Sequence, residues 1–236
     1  MRAHEISPHP GPPRFLHAEA VKQGSLPMKW LSSALLATFL FCAPARAQSV
    51  SSNIDVDTGP VPGGHEMQAW FSATHVLYGM SSSYSGEFLQ IGGRYGWVLT
   101  KPRGPGLLRG EFEYAVNFLP VIIPFQSNGA TYGFGLDPIT TKWNFQRRGN
   151  LVPYVEVDGG GMETIGRVPV RGTHWNFTAS GALGMQILRG GHVWSVDFRF
   201  YHISDAHIDP TGDPTYNALQ VRVGFGIFRG PKKRKL

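Results

Sequence analysis

Residues 108–118 read LRGEFEYAVNF. Leu108, Phe112, Tyr114, Val116 and Phe118 share one parity, and Arg109, Glu111, Glu113 and Asn117 share the other. Side chains of a strand alternate between two faces, whereas an amphipathic helix repeats its apolar residues every three to four positions. The stretch therefore reads as a strand with one apolar face and one charged face.

The same period of two recurs along the chain. Leu89, Ile91, Tyr95, Trp97 and Leu99 oppose Gln90 and Arg94. Trp175, Phe177, Ala179, Leu183, Met185 and Ile187 oppose Asn176, Thr178, Ser180 and Gln186. Trp194, Val196, Phe198 and Phe200 oppose Ser195, Asp197, Arg199 and Tyr201, and Leu219, Val221, Val223, Phe225 and Ile227 oppose Gln220 and Arg222. Three less regular segments, near residues 66–78, 131–145 and 151–158, complete a set of eight strands. In the second of these the apolar parity shifts near Pro138, as a bulge would make it do. DGGGMET at residues 158–164 reads as a glycine-rich turn without phosphate-loop spacing.

An even number of antiparallel strands with Gly- and Pro-rich turns predicts an all-β, eight-stranded barrel over residues 65–229. Such a barrel closes in one of two senses: apolar face inward, as a soluble lipid carrier, or outward, as an outer-membrane protein. Three features favour the transmembrane sense. The polar faces carry charges of both signs, the apolar faces are rich in Trp, Tyr and Phe, and the last strand ends on the aromatic Phe228. Arg94, Glu111, Glu113, Asp197, Arg199 and Arg222 would then form a luminal salt-bridge network.

Residues 28–49, MKWLSSALLATFLFCAPARAQS, carry a lysine, an apolar run at 35–41 and Ala45-Arg46-Ala47, the three parts of a secretory signal. The run is too short to span a bilayer as a helix, which needs about 20 residues. Residues 28–47 are the expected signal peptide, with cleavage near Ala47. Residues 1–27 read as an over-extended start, and residues 48–64, rich in Ser, Asp, Pro and Gly, as a flexible lead-in. Cleavage leaves 189 residues and removes the single cysteine, Cys42, so the exported chain has neither a disulfide nor a cysteine nucleophile.

The sequence pI near 9.6 does not imply a nucleic-acid partner. The exported part has 17 Lys and Arg against 14 Asp and Glu, and five of those cations fall in the terminal RGPKKRKL. The basicity is a tail, spanning residues 230–236 with Arg229 just ahead of it, rather than a stripe along a groove.

Residues 198–207, FRFYHISDAH, contain the reactive pair. Alternation puts His202 and Ser204 on the same face as Phe198 and Phe200, facing lipid at the outer end of the seventh strand. A serine hydroxyl becomes a nucleophile when an adjacent base accepts its proton, and only a lipid substrate would need that pair on the greasy face. His207 lies five residues from His202 with no third ligand, so no metal is expected.

YHISDAH followed by TYNALQVRVGFGI resembles the signature of the lipid A 3-O-deacylase family, PagL-like and also described as acyloxyacyl hydrolases. GRYGWVL, LLRGEFEY, VPYVEVDGGG and HWNFTASGALG follow the order of that family. The resemblance implies an eight-stranded outer-membrane barrel that hydrolyses an ester-linked acyl chain of lipopolysaccharide. It also implies Ser204 as nucleophile, His202 as general base and no cofactor or metal. Lipopolysaccharide and outer-membrane lipids are then the partners, and a homodimer is the one protein partner the reading allows for. Two positions depart from the family pattern. Asp205 stands where the family has an Asn that helps form the oxyanion hole. Tyr216 and Asn217 stand where the best-known members have a Glu, leaving Asp205, Asp209 and Asp213 as the nearby carboxylates and Asn217 as a candidate to orient the imidazole. Two alternatives follow: a non-catalytic barrel of the same family with a structural or lipid-binding role, and a soluble periplasmic lipid carrier.

Overall fold

A computed structural model describes residues 59–77, 85–208 and 214–231. The expected signal peptide, the segment ahead of it, most of the lead-in and the tail from residue 232 lie outside the described residues. So do Asp209 and Asp213.

The described chain forms eight long strands: β1 (His65–Val76), β2 (Gly86–Val98), β3 (Gly110–Gln126), β4 (Gly133–Phe145), β5 (Leu151–Val168), β6 (Thr173–Arg189), β7 (His192–Ser204) and β8 (Tyr216–Arg229). Each pairs antiparallel with the next, and β1 pairs with β8 from His65↔Arg229 to Val76↔Ala218, closing the barrel. A two-residue ladder at Gly129–Ala130 extends the β3–β4 connection.

The two faces sort as alternation demands, with charges inside. Arg94, Glu113, Lys142, Glu156, Asp197, Arg199 and Arg222 are buried, whereas Leu183 is 70% exposed, Phe198 68% and Phe118 55%. Apolar side chains this exposed around a closed barrel need hydrocarbon outside, and the closed ladder leaves no backbone edge to desolvate. The sense expected of a soluble lipid carrier is excluded, because its ligand cavity would here be filled by ions.

Eight strands enclose a lumen just wide enough for side chains, and it is filled in three storeys. Toward the chain termini sit Val98, Val152, Leu188, Val193 and Phe228. At the opposite end a larger apolar cluster includes Trp70, Val76, Phe88, Ile122, Ile203 and Tyr216. Between them lies the ionic network. Glu156 receives Arg94, Arg199 and Arg222 at 2.6–2.7 Å, and Asp197 receives Arg222 at 2.9 Å. Asp158 pairs with Arg199. Lys142 joins Glu66 at 2.5 Å to Glu113 at 3.1 Å. Alternation alone places Arg94, Glu113, Asp197, Arg199 and Arg222 here; Glu66, Lys142, Glu156 and Asp158 join them, and Glu111, expected in the network, instead lies half-buried at the mouth nearest the termini.

Two strands run further than their alternation indicated. β3 continues to Gln126 because its second half, FLPVIIPF, is apolar on both faces. Leu119 and Ile122 point inward into the apolar storey, so the in–out contrast disappears there. The glycine run at residues 158–164 is not a turn but the middle of β5. It pairs with β4 where that register slips between Leu136 and Ile139, the bulge expected near Pro138. A Cβ on Gly160 would stand 2.2 Å from the Leu136 carbonyl oxygen, so only glycine lets β5 pass the bulge.

A fully closed ladder resists detergent until heated. Unboiled and boiled samples are therefore expected to migrate differently on a denaturing gel, and equal mobility would indicate an open sheet.

Candidate active site

An even strand number puts both barrel termini at one end. With that end at the periplasm, as short-turned outer-membrane barrels place it, the ends of β7 and β6's partner residues face the outer leaflet. Ser204 is the last residue of β7. Across β7–β8, His202 pairs with Asn217; across β6–β7, Ala179 pairs with His202 and Phe177 with Ser204.

His202, Ser204 and Asn217 are half-buried on the outward face, between the exposed Phe200 and Leu219 below and Phe177 alongside. Trp175 stands edge-on to Phe177, with ring centroids 6.3 Å apart. Alternation puts these aromatics on the lipid face, and the β6–β7 register brings Phe177 beside the serine.

The intervening residues Tyr201, Ile203 and Tyr216 are buried and lock the strand ends from inside. Tyr216 packs edge-on against Phe88 at 5.7 Å, and its hydroxyl donates to Gln126 Oε1 at 3.0 Å. Gln90 Nε2 donates to the Tyr201 hydroxyl at 3.3 Å. A site on rigid strands with filled space behind it holds its geometry better than one on a loop.

His202 Nδ1 lies 2.7 Å from Asn217 Oδ1. An amide oxygen only accepts, so Nδ1 carries the proton, and the neutral ring then presents Nε2 as a base. Among the described residues no hydrogen bond joins His202 to Ser204. The outward face thus combines a hydroxyl, an imidazole of fixed tautomer and an amide in a greasy surround.

Asp205 does not join them. Its parity is inward, it is fully buried, and its Oδ1 accepts the His207 N–H at 3.1 Å. It opens a turn in which the Ile208 N–H bonds the Asp205 carbonyl at 3.1 Å. Ala206 and His207 inside that turn have φ of 53° and 62°. Left-handed backbone at non-glycine residues costs on the order of 1 kcal/mol or more each and tends to persist beside functional groups. His207 is exposed in this turn, and the described residues contain no group of three His, Cys, Asp or Glu placed to hold a metal.

No curated protein matches the chain. The crystal structure of the outer-membrane enzyme PagL is similar in fold, with a TM-score of 0.50 and 16% identity, covering 67% of this chain and 97% of that one. Neisserial surface protein A also aligns, with a TM-score of 0.41 and 11% identity over 70% of this chain and 97% of that one. The family model for lipid A 3-O-deacylase (PagL) matches residues 65–226, from the start of β1 into β8, and includes the outward His202, Ser204 and Asn217. The chain belongs to the lipid A 3-O-deacylase family of outer-membrane barrels.

Proposed function

We propose that this barrel is a serine-type carboxylic ester hydrolase that removes an ester-linked acyl chain from lipid A in the outer leaflet. The observation that carries this reading is the 2.7 Å contact between His202 Nδ1 and Asn217 Oδ1, two positions along the same face from Ser204. Ser204 Oγ attacks the ester carbonyl while His202 Nε2 takes its proton. The tetrahedral intermediate collapses, the imidazolium returns the proton to the departing sugar oxygen, and an acyl-serine remains. Water, deprotonated by the same Nε2, then releases the fatty acid and restores the serine. The missing His202–Ser204 bond is compatible with this, since catalytic hydrogen bonds of unliganded enzymes commonly tighten only when substrate binds.

Asn217 holds the tautomer but cannot neutralise the imidazolium as a carboxylate would. Asp205, with its carboxylate turned inward, leaves the outer face to the main chain, so an oxyanion there meets no opposing charge from this side chain. The experiment is incubation of purified, folded barrel with lipopolysaccharide, reading the lipid A mass before and after. Loss of one ester-linked acyl chain is expected, and an unchanged mass with wild type would favour the non-catalytic role.

Asn217→Glu supplies the carboxylate that the family's best-known members use. It is expected to raise kcat about tenfold or more while KM changes little, because the added interaction exists only once the imidazole is charged. An unchanged or lower kcat would mean that the residue at 217 does not act through His202.

A further inference from the structure

Once the luminal ions are set aside, most of the remaining cations among the described residues lie at one rim. Lys101, Arg103, Arg109, Arg148, Arg189 and Arg229 are all exposed on the turns and strand ends nearest the termini. None of the six pairs with a carboxylate among the described residues. Arg147 is exposed on the same rim, and Glu111 is the acid described there. Among the described residues, the opposite rim carries Arg167 and Arg171 alongside Glu87 and Glu163.

The collar follows an aromatic belt. Tyr95 meets Trp97 at 4.7 Å, Trp97 stacks on Tyr114 at 5.8 Å, and Trp194 tilts against Phe225 at 4.7 Å. Trp143 anchors to the Leu108 carbonyl through Nε1 at 3.1 Å. Outward aromatics of a barrel mark the level of the lipid headgroups, so the next exposed residues toward the termini lie among phosphates. Arginine matches a phosphate's oxygens with two parallel N–H bonds. Arg109 and Arg147 also line, with Glu111, Pro102 and Gln146, a recess of about 340 Å³ at this mouth, where the two cations outnumber the one acid.

We infer that this collar binds the headgroups of anionic phospholipids in the periplasmic leaflet, the leaflet opposite the candidate active site. It gathers negatively charged phosphodiesters around the barrel foot and fixes the depth of the barrel in the membrane. The RGPKKRKL segment adds four further cations after Arg229 in sequence.

The test uses the full mature chain folded in phosphatidylcholine bilayers holding trace spin-labelled phosphatidylglycerol or phosphatidylcholine, with no lipopolysaccharide present. The motionally restricted fraction gives the preference of the barrel surface for the anionic lipid. Wild type is expected to prefer phosphatidylglycerol about threefold or more at low salt, a preference that falls toward one at about 1 M salt. Changing Lys101, Arg103, Arg109 and Arg189 together to Gln should remove most of that preference at low salt. Changing Arg167 and Arg171 to Gln should leave it at the wild-type value. If the fourfold variant does not fold, Lys101→Gln with Arg103→Gln alone should remove a measurable part of the preference. A wild-type ratio of one at low salt would overturn the inference. So would a preference that survives the collar changes, which would assign it to the tail, or one lost with Arg167 and Arg171. The readout does not depend on ester hydrolysis, so its failure and that of the proposed activity are distinguishable.

Discussion

Ser204→Ala is expected to abolish acyl release, lowering kcat by on the order of 10⁴–10⁶, as loss of a serine nucleophile does elsewhere. The barrel should remain intact. The side chain is half-buried on the lipid-facing surface, so removing its oxygen opens no cavity, and the inward packing of Ile203 and Tyr216 is untouched. His202→Ala should cost nearly as much, and the double variant hardly more than either alone, because residues that act as one unit are not additive. Asp205→Asn is the internal contrast. The amide oxygen can still accept the His207 N–H that Asp205 Oδ1 now accepts, and the side chain is fully buried while the pair is on the outward face. Its effect should fall far short of the roughly 10²–10³ that an oxyanion donor supplies. The check is lipid A mass over time, with heat-dependent gel mobility confirming the fold. Equal rates for wild type and Ser204→Ala would falsify the nucleophile assignment.

That contrast shows where the sequence was legible. The outward parity of His202 and Ser204 follows from Phe198 and Phe200 before them. The inward turn of Asp205 follows from the same count, which its place in the motif alone does not give. The neighbours across β6 were also within reach. Gly190 and Gly191, with φ of 59° and 83°, form a two-residue turn joining Arg189↔His192. Such a turn fixes register, and counting back from it lands Phe177 on Ser204.

By contrast, the pairing of His202 with Asn217 bridges residues 205–215, a connection too long to fix register by its length. The partners of the ionic network were hidden for a different reason. Lys142 follows the β4 bulge and Asp158 abuts the glycines of β5, so both sit where alternation is broken. Glu66 and Glu156 lie in segments whose apolar face is less regular. Parity can say that a charge faces inward, but only the three-dimensional closure says which opposite charge it meets.

Glu156 shows how much rests on that closure. Its carboxylate takes Arg94 through both oxygens at 2.6 Å, and Oε1 also takes Arg199 at 2.7 Å and Arg222 at 2.6 Å. Three guanidiniums converge on this one carboxylate, with Asp158 and Asp197 sharing Arg199 and Arg222. Replacing a whole buried ion cluster with apolar side chains can be neutral, but removing one member strands the rest, at about 3–5 kcal/mol. Glu156→Gln keeps the shape and removes the charge, so it is expected to destabilise the barrel by that amount. Val157 is the next residue, 60% exposed on the outer face. There Val157→Ala exchanges one lipid contact for another and should cost less than about 1 kcal/mol. Urea unfolding of both variants in the same lipid measures the difference between one step inward and one step outward along a single strand. Adding Arg94→Gln to Glu156→Gln should recover part of the loss, because both terminal nitrogens of Arg94 are spent on Glu156, and the coupling between the two changes should be about 1–3 kcal/mol. If Glu156→Gln is no more costly than Val157→Ala, the apolar storeys above and below hold the barrel closed without the ions.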